Sequence, residues 1–161
     1  MDVMIEYRIA ASEDMELLMG SRLEMLRVVN NLPEAYEFNN VLERESREYF
    51  AAGDQTTVLA MEQGEVIGCA TLCYIRIMPT FSHSAGKRAH LMNVYTREQY
   101  RRQGIAARMV EMLMQEARDR GVTEISLDAT ESGRPLYEKL GFTASQECMV
   151  YVVNAGDKTV Q

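Results

Sequence analysis

Apolar and polar positions divide the chain into recognisable elements. Residues 6–10 read as a first strand. From Met15 the period changes, and Met15, Leu18, Met19, Leu23 and Leu26 recur at helical spacing. Ser12 stands where a capping residue belongs, and Glu13 and Asp14 suit the positive end of the helix dipole. Asn30-Asn31-Leu32-Pro33 breaks that helix. A second, weaker helix is expected over residues 35–50, carrying Phe38, Val41, Leu42 and Tyr49, and Ala52-Gly53-Asp54 ends it. A hairpin follows, with strands at 57–61 and 66–77 joined by Glu62-Gln63-Gly64-Glu65. Residues 78–87 read as a loop and 88–96 as a strand. The clearest amphipathic helix spans 104–120, with Ile105, Met109, Met112, Leu113 and Ala117 on one side and Gly121 at its end. A strand at 124–129, a helix at 133–140 and a last strand at 148–153 complete the pattern.

The strand at 88–96, the helix at 104–120 and the strand at 124–129 form one crossover unit, so their two strands should be parallel. Ligands of such units gather at the carboxyl ends of the strands, beside the helix N-terminus. No repeat or linker interrupts the chain. The expected organisation is one domain over residues 1–154, followed by a short tail at 155–161.

Composition narrows the class. With 161 residues, 47% hydrophobic and 25% charged, the chain suits one soluble globular domain. No apolar run is long enough for a membrane span, and the acidic start Met1-Asp2-Val3-Met4-Ile5-Glu6 does not resemble a secretory signal. Cys69, Cys73 and Cys148 have no metal-binding spacing, and read as reduced thiols in a cytoplasmic protein without a metal site. The net charge of -7 argues against a nucleic-acid partner. Its distribution is uneven. Residues 1–50 hold eleven acids against five arginines, whereas residues 97–120 hold six arginines against four acids. A small phosphorylated ligand could be held at that locally basic helix start, or the charges could simply solvate a helix face.

The chemistry centres on Arg101-Arg102-Gln103-Gly104-Ile105-Ala106. A helix start offers unpaired N–H groups and partial positive charge. Gly104 permits close approach to the backbone, Ala106 is small, and Arg101 and Arg102 can add full charges. A pyrophosphate needs that combination. A helix start in which the glycine serves only the turn is the alternative. GxGxxG, HExxH and GxSxG are absent, and Gly86-Lys87 lacks the rest of a P-loop.

Arg101-x-x-Gly104-x-Ala106, after the strand Leu91-Met92-Asn93-Val94-Tyr95, resembles the acetyl-CoA motif of the GNAT superfamily of N-acyltransferases. Arg134-Pro135-Leu136-Tyr137-Glu138-Lys139-Leu140-Gly141-Phe142 resembles a second motif of that family. The resemblance is close over residues 57–153. It implies an α/β (α+β) fold: a mixed, mainly antiparallel twisted sheet with a central parallel strand pair and helices on both faces. It implies acetyl-CoA as cosubstrate and no metal. The backbone of Val94, Tyr95 and Thr96 would pair with the pantetheine arm. Gln103, Gly104, Ile105 and Ala106 would donate N–H groups to the pyrophosphate, with Arg101 and Arg102 beside the phosphates. Arg134 could steer a phosphate. Tyr137 matches the position that protonates the departing thiolate.

The sequence departs from the family at three places. Ala106 replaces a glycine, Thr130 stands where an asparagine often contacts the ligand, and the strand before the turn has no carboxylate to act as base. That strand offers His90 and Asn93 instead, and imidazole can take a proton near neutral pH. His83 and Glu24 are further candidates, each more readily read as a surface residue. The family's acceptors are amines, walled by the two N-terminal helices. Glu24, Glu34, Glu37, Glu43, Glu45 and Glu48 make that region acidic, which suits a small polar or cationic amine. A non-catalytic acyl-CoA-binding module, a peptide N-acetyltransferase and a domain that binds no CoA are the alternatives. The family often pairs through C-terminal strands, so a homodimer is expected among the partners.

Overall fold

The computed structural model describes residues 4–154. Strand β1 (Glu6–Ile9) leads through a 3-10 turn (Ser12–Asp14) into α1 (Met15–Val29) and α2 (Asn40–Ala52). Strands β2 (Gln55–Glu62), β3 (Glu65–Arg76) and β4 (Lys87–Thr96) follow, then a 3-10 turn (Glu98–Tyr100), α3 (Ile105–Asp119), β5 (Glu124–Leu127) and α4 (Arg134–Lys139). The sheet order is β1-β2-β3-β4-β5. Pairing is antiparallel except for β4 with β5, which run parallel as a crossover through α3 requires.

Alternation along the strands sends side chains to two cores. On one face Ala60, Leu72, Ala89 and Leu91 meet Ile105, Met109 and Leu113 of α3, with Tyr137 and Leu140 of α4 at the margin. On the other, Leu59, Cys69 and Tyr95 meet Leu18, Met25 and Leu26 of α1, with Phe38, Leu42 and Phe50 alongside. Leu26, Leu59, Leu72, Met109 and Leu113 are each less than 2% exposed. Full burial of such a side chain contributes about 1.5–3 kcal/mol. Helices therefore cover both faces of a mixed, mainly antiparallel sheet, as expected.

Four local readings change. Ser12 does not cap α1; it opens the 3-10 turn, and the helix begins at Met15. Buried Asp14 accepts from Ala11 N (2.8 Å) and from Arg8 Nη2 (2.8 Å), tying β1 to α1. Helix α2 begins at Asn40 and not at residue 35, because Asn39 Oδ1 accepts from Val41 N (2.7 Å) and fixes the start there. Strand β5 stops at Leu127. The last strand expected at 148–153 does not form. Ladder hydrogen bonds need a partner edge, and among the described residues none reaches this segment. Met149, Val150, Tyr151 and Val153 are more than 80% exposed. The parallel pair therefore lies at one end of the described sheet, with β5 as its edge.

Candidate functional site

The pairing of β4 with β5 runs from Arg88↔Glu124 to Leu91↔Leu127 and stops. Beyond it β4 continues to Thr96, still paired to β3, so its other backbone edge is open from Asn93 onward. A bulge sits at the same place. Thr71 pairs with Met92 but Cys69 pairs with Tyr95, one extra residue on β4. Asn93 takes up the bend with φ +59°, a left-handed conformation that asparagine tolerates better than most residues. The bulge inverts the alternation. Ala89, Leu91 and Val94 join the α3 side, whereas His90, Met92, Asn93 and Tyr95 face α1 and α2. Thr96 ends the strand with its Oγ1 buried and unpaired among the described residues.

The chain turns directly from that open edge into α3. Arg101 Nε donates to Thr96 O (2.9 Å), which fastens the turn to the strand end. Arg102 (φ +62°) and Gly104 (φ +80°) are both left-handed. No side chain caps α3 and no acid lies in its first turn. The first N–H groups of the helix are thus left to an outside acceptor, with positive dipole and arginine charge around them. A β-carbon on Gly104 would meet nothing within 4 Å, so its backbone angle, not lack of room, selects glycine. An open strand edge followed by an uncapped helix start fits an elongated ligand with a phosphate-bearing end.

Helix α4 lies at the α3-side core. Tyr137 stacks edge-on against Phe142 (centroids 5.9 Å apart), and burial raises its phenol above the ordinary value. Its hydroxyl has no hydrogen-bond partner among the described residues. Thr130 Oγ1 accepts from Gly133 N (3.1 Å), so this hydroxyl holds the turn before α4. Arg134 is exposed and lies 4.0 Å from Glu138.

The other face holds a cleft of about 1040 Å³ between α1, α2 and the sheet. Phe38, Leu42, Tyr49, Ile75 and Met92 give it apolar walls, and Arg22, Cys73, His90 and Asn93 line it too. His90 Nδ1 lies 2.8 Å from Ser126 Oγ, and Nε2 lies 3.5 Å from Asp128 Oδ2, so β5 orients the ring. His83 is not on the cleft; its ring meets Thr123 (2.7 Å) and Glu124 (3.1 Å). Of the six acids expected on the acceptor side, Glu45 and Glu48 line the cleft. Glu24 is paired with Arg97 instead. Cys69 is fully buried and donates toward Asn93 O (3.4 Å); burial pushes its thiol up to about 12.

Sequence reasoning brought together Val94, Tyr95, Thr96 and the Arg101–Ala106 turn. It missed Arg22. The available signal was spacing: Arg22 lies four residues from Leu18 and four from Leu26, on the apolar stripe of α1. Among the described residues no cluster of three or more His, Cys, Asp or Glu is placed to hold a metal, and no helix is long and apolar enough to cross a membrane.

Several solved acetyltransferase structures share this architecture. A predicted acetyltransferase from Clostridium acetobutylicum, crystallised with acetyl-CoA, is 30% identical at a TM-score of 0.81, over 92% of this chain and 96% of that one. An aminoglycoside acetyltransferase from an uncultured soil metagenomic sample, in complex with sisomicin, shares the fold at a TM-score of 0.76 with 12% identity, over 94% of this chain and 97% of that one. In sequence, the glucosamine 6-phosphate N-acetyltransferase of Trypanosoma brucei brucei is 29% identical over 148 residues, 90% of this chain and 93% of that protein. The model of the acetyltransferase (GNAT) family matches residues 24–142. The chain belongs to that family, and is an N-acetyltransferase.

Proposed function

We propose that this enzyme moves the acetyl group of acetyl-CoA to the primary amine of a small polar acceptor, by direct attack in a ternary complex. The observation that carries the reading is the open edge of β4 running into the uncapped start of α3. The pantetheine arm pairs with Val94, Tyr95 and Thr96 as a further strand would. The pyrophosphate accepts from the N–H groups of Gln103, Gly104, Ile105 and Ala106, with Arg101 and Arg102 beside it. The crystal structure of the Clostridium acetobutylicum relative with acetyl-CoA supports this choice of donor. Thr130 holds the turn before α4, and Arg134, the first residue of α4, adds charge near the ligand.

The acceptor enters through the α1–α2 cleft. Its ammonium gives a proton to His90, and the neutral nitrogen attacks the thioester carbonyl. The C–N bond forms and the C–S bond breaks. The leaving sulfur takes the Tyr137 hydroxyl proton, the nitrogen releases its extra proton to water, His90 returns its proton to solvent, and solvent restores the phenol. A raised Tyr137 keeps that proton until a thiolate appears, which is what a general acid requires. The exposed segment 148–153 is the part we assign to pairing two copies.

Thiol release from acetyl-CoA across amino sugars, aminoglycosides, polyamines, amino acids and peptides tests the reading. Amine-dependent release supports it. Tight CoA binding with only background release across the whole panel would favour a binding module.

A further inference from the structure

Arg22 is a cation on the cleft that the proposed reaction leaves unused. It projects from α1, and among the described residues it forms no salt bridge. Its Nη1 donates to Asn93 Oδ1 (3.2 Å), leaving the rest of a five-donor fork to the cleft that Arg22 lines. Burial works against its charge. A desolvated guanidinium without a carboxylate calls for an anion.

Its position is fixed from behind. Asn93 Nδ2 donates to Thr71 Oγ1 (3.1 Å), and Thr71 Oγ1 lies 2.8 Å from Thr57 Oγ1. This buried chain of polar groups holds Asn93, whose side-chain oxygen holds Arg22. Asn93 immediately precedes the open edge that would carry the thioester. An anion on Arg22 would therefore sit beside Asn93, next to the edge assigned to the thioester arm.

The walls define the rest of the ligand. Tyr49, Ile75 and Met92 are each between 38% and 44% exposed, and they share the cleft with Phe38 and Leu42. Apolar surface of this kind, gathered around one cation, suits an apolar body with one charged end. A dianionic phosphate would need more donors than a single guanidinium, and Arg22 is the one Arg or Lys on the described lining.

Resting on the acetyl-transfer reading, we propose that the acceptor is an amine that also carries one carboxylate and an apolar body, with Arg22 binding the carboxylate. Such a molecule is a zwitterion. Glu45 and Glu48 attract its ammonium on approach, and Arg22 receives its other end.

The test uses the CoA-loaded protein and two matched ligands, L-phenylalanine and phenethylamine, which differ by the carboxylate. Calorimetry measures binding, and thiol release from acetyl-CoA measures turnover. The expected result is binding of phenylalanine about 10- to 100-fold tighter than its decarboxylated partner, a gap that Arg22→Gln closes while CoA affinity stays unchanged. If Arg22→Gln does not fold, the wild-type gap alone decides. Equal or better binding of phenethylamine would overturn the proposal, as would binding of glucosamine 6-phosphate in preference to amino acids. Phenylalanine binding without thiol release would overturn the transferase reading and leave the Arg22 site standing. Release with phenethylamine but not phenylalanine would do the reverse.

Discussion

Glu24 accepts two hydrogen bonds from Arg97, one from Nε (3.0 Å) and one from Nη2 (2.9 Å), across 73 residues of chain. This fork joins α1 to the residue that follows β4. Burial disfavours the Glu24 carboxylate, but hydrogen bonds from Arg97 and Tyr95, with the Arg97 charge, together hold it below its ordinary value. The same carboxylate, after burial, raises the Tyr95 phenol to about 12. A depressed carboxylate stabilises the fold above its unfolded value, near about 4.3, and loses that contribution as pH falls through the folded value. Glu24→Gln should lower stability at neutral pH by about 1–3 kcal/mol. The difference from wild type should shrink toward pH 3. Chemical denaturation at several pH values measures both, and an unchanged gap at low pH would contradict the assignment.

Tyr137→Phe separates packing from proton transfer. The ring stacks on Phe142, but its hydroxyl bonds nothing among the described residues, so the fold should lose little with it. If the hydroxyl protonates the leaving sulfur, kcat should fall about 10²-fold while acetyl-CoA affinity and melting temperature hold. Steady-state kinetics with calorimetric CoA binding resolves the two. An unchanged kcat would remove Tyr137 from the mechanism.

What could be read from the chain follows from where the information lies. The helix 104–120, the hairpin at Gln63-Gly64 and the crossover are local patterns, and each formed nearly where expected. The turn at Arg101–Ala106 was legible because a glycine and two arginines before an amphipathic helix are contiguous. The cleft was not. Arg22, Tyr49, Ile75 and Asn93 come from four elements, and only the bulge at Asn93 turns the last of them toward α1. Residues 148–153 have a strand's composition, but composition does not supply a partner edge.

Gly68 carries a prediction about that edge. A β-carbon there would lie 2.9 Å from Tyr95 O and 3.3 Å from Met109 Cε. The methionine can move, but the carbonyl belongs to the strand whose far side is open. Gly68→Ala should therefore push β4 outward at Tyr95. Thermal denaturation should show a loss of about 1–3 kcal/mol, and the KM for acetyl-CoA should rise more than the KM for the acceptor.

His90→Gln tests the proton path through pH. If His90 only takes the ammonium proton, its loss matters where the amine is protonated in solution and matters less where free amine is abundant. The ratio of wild-type to variant kcat/KM should be large at pH 7 and shrink toward unity above pH 9. A ratio independent of pH would mean that the ring, held between Ser126 and Asp128, only shapes the cleft wall.

The exposed run Met149-Val150-Tyr151-Val152-Val153 and the edge of β5, unpaired among the described residues, are complementary needs within one chain. One requires ladder partners and cover for apolar side chains. The other presents unpaired N–H and C=O groups, a template for pairing with another chain. Two copies satisfy both if each lays its 148–153 segment along its partner's β5, a closed and symmetric arrangement. Sedimentation should then show a dimer that dissociates on dilution. Val150→Lys should shift it to monomer, since a lysine ammonium buried in an apolar interface must give up its water. The monomer should keep the melting behaviour of its own cores, because neither α1 nor α3 packs on residues 148–153. A wild-type protein that sediments as a monomer at all concentrations would rule this pairing out.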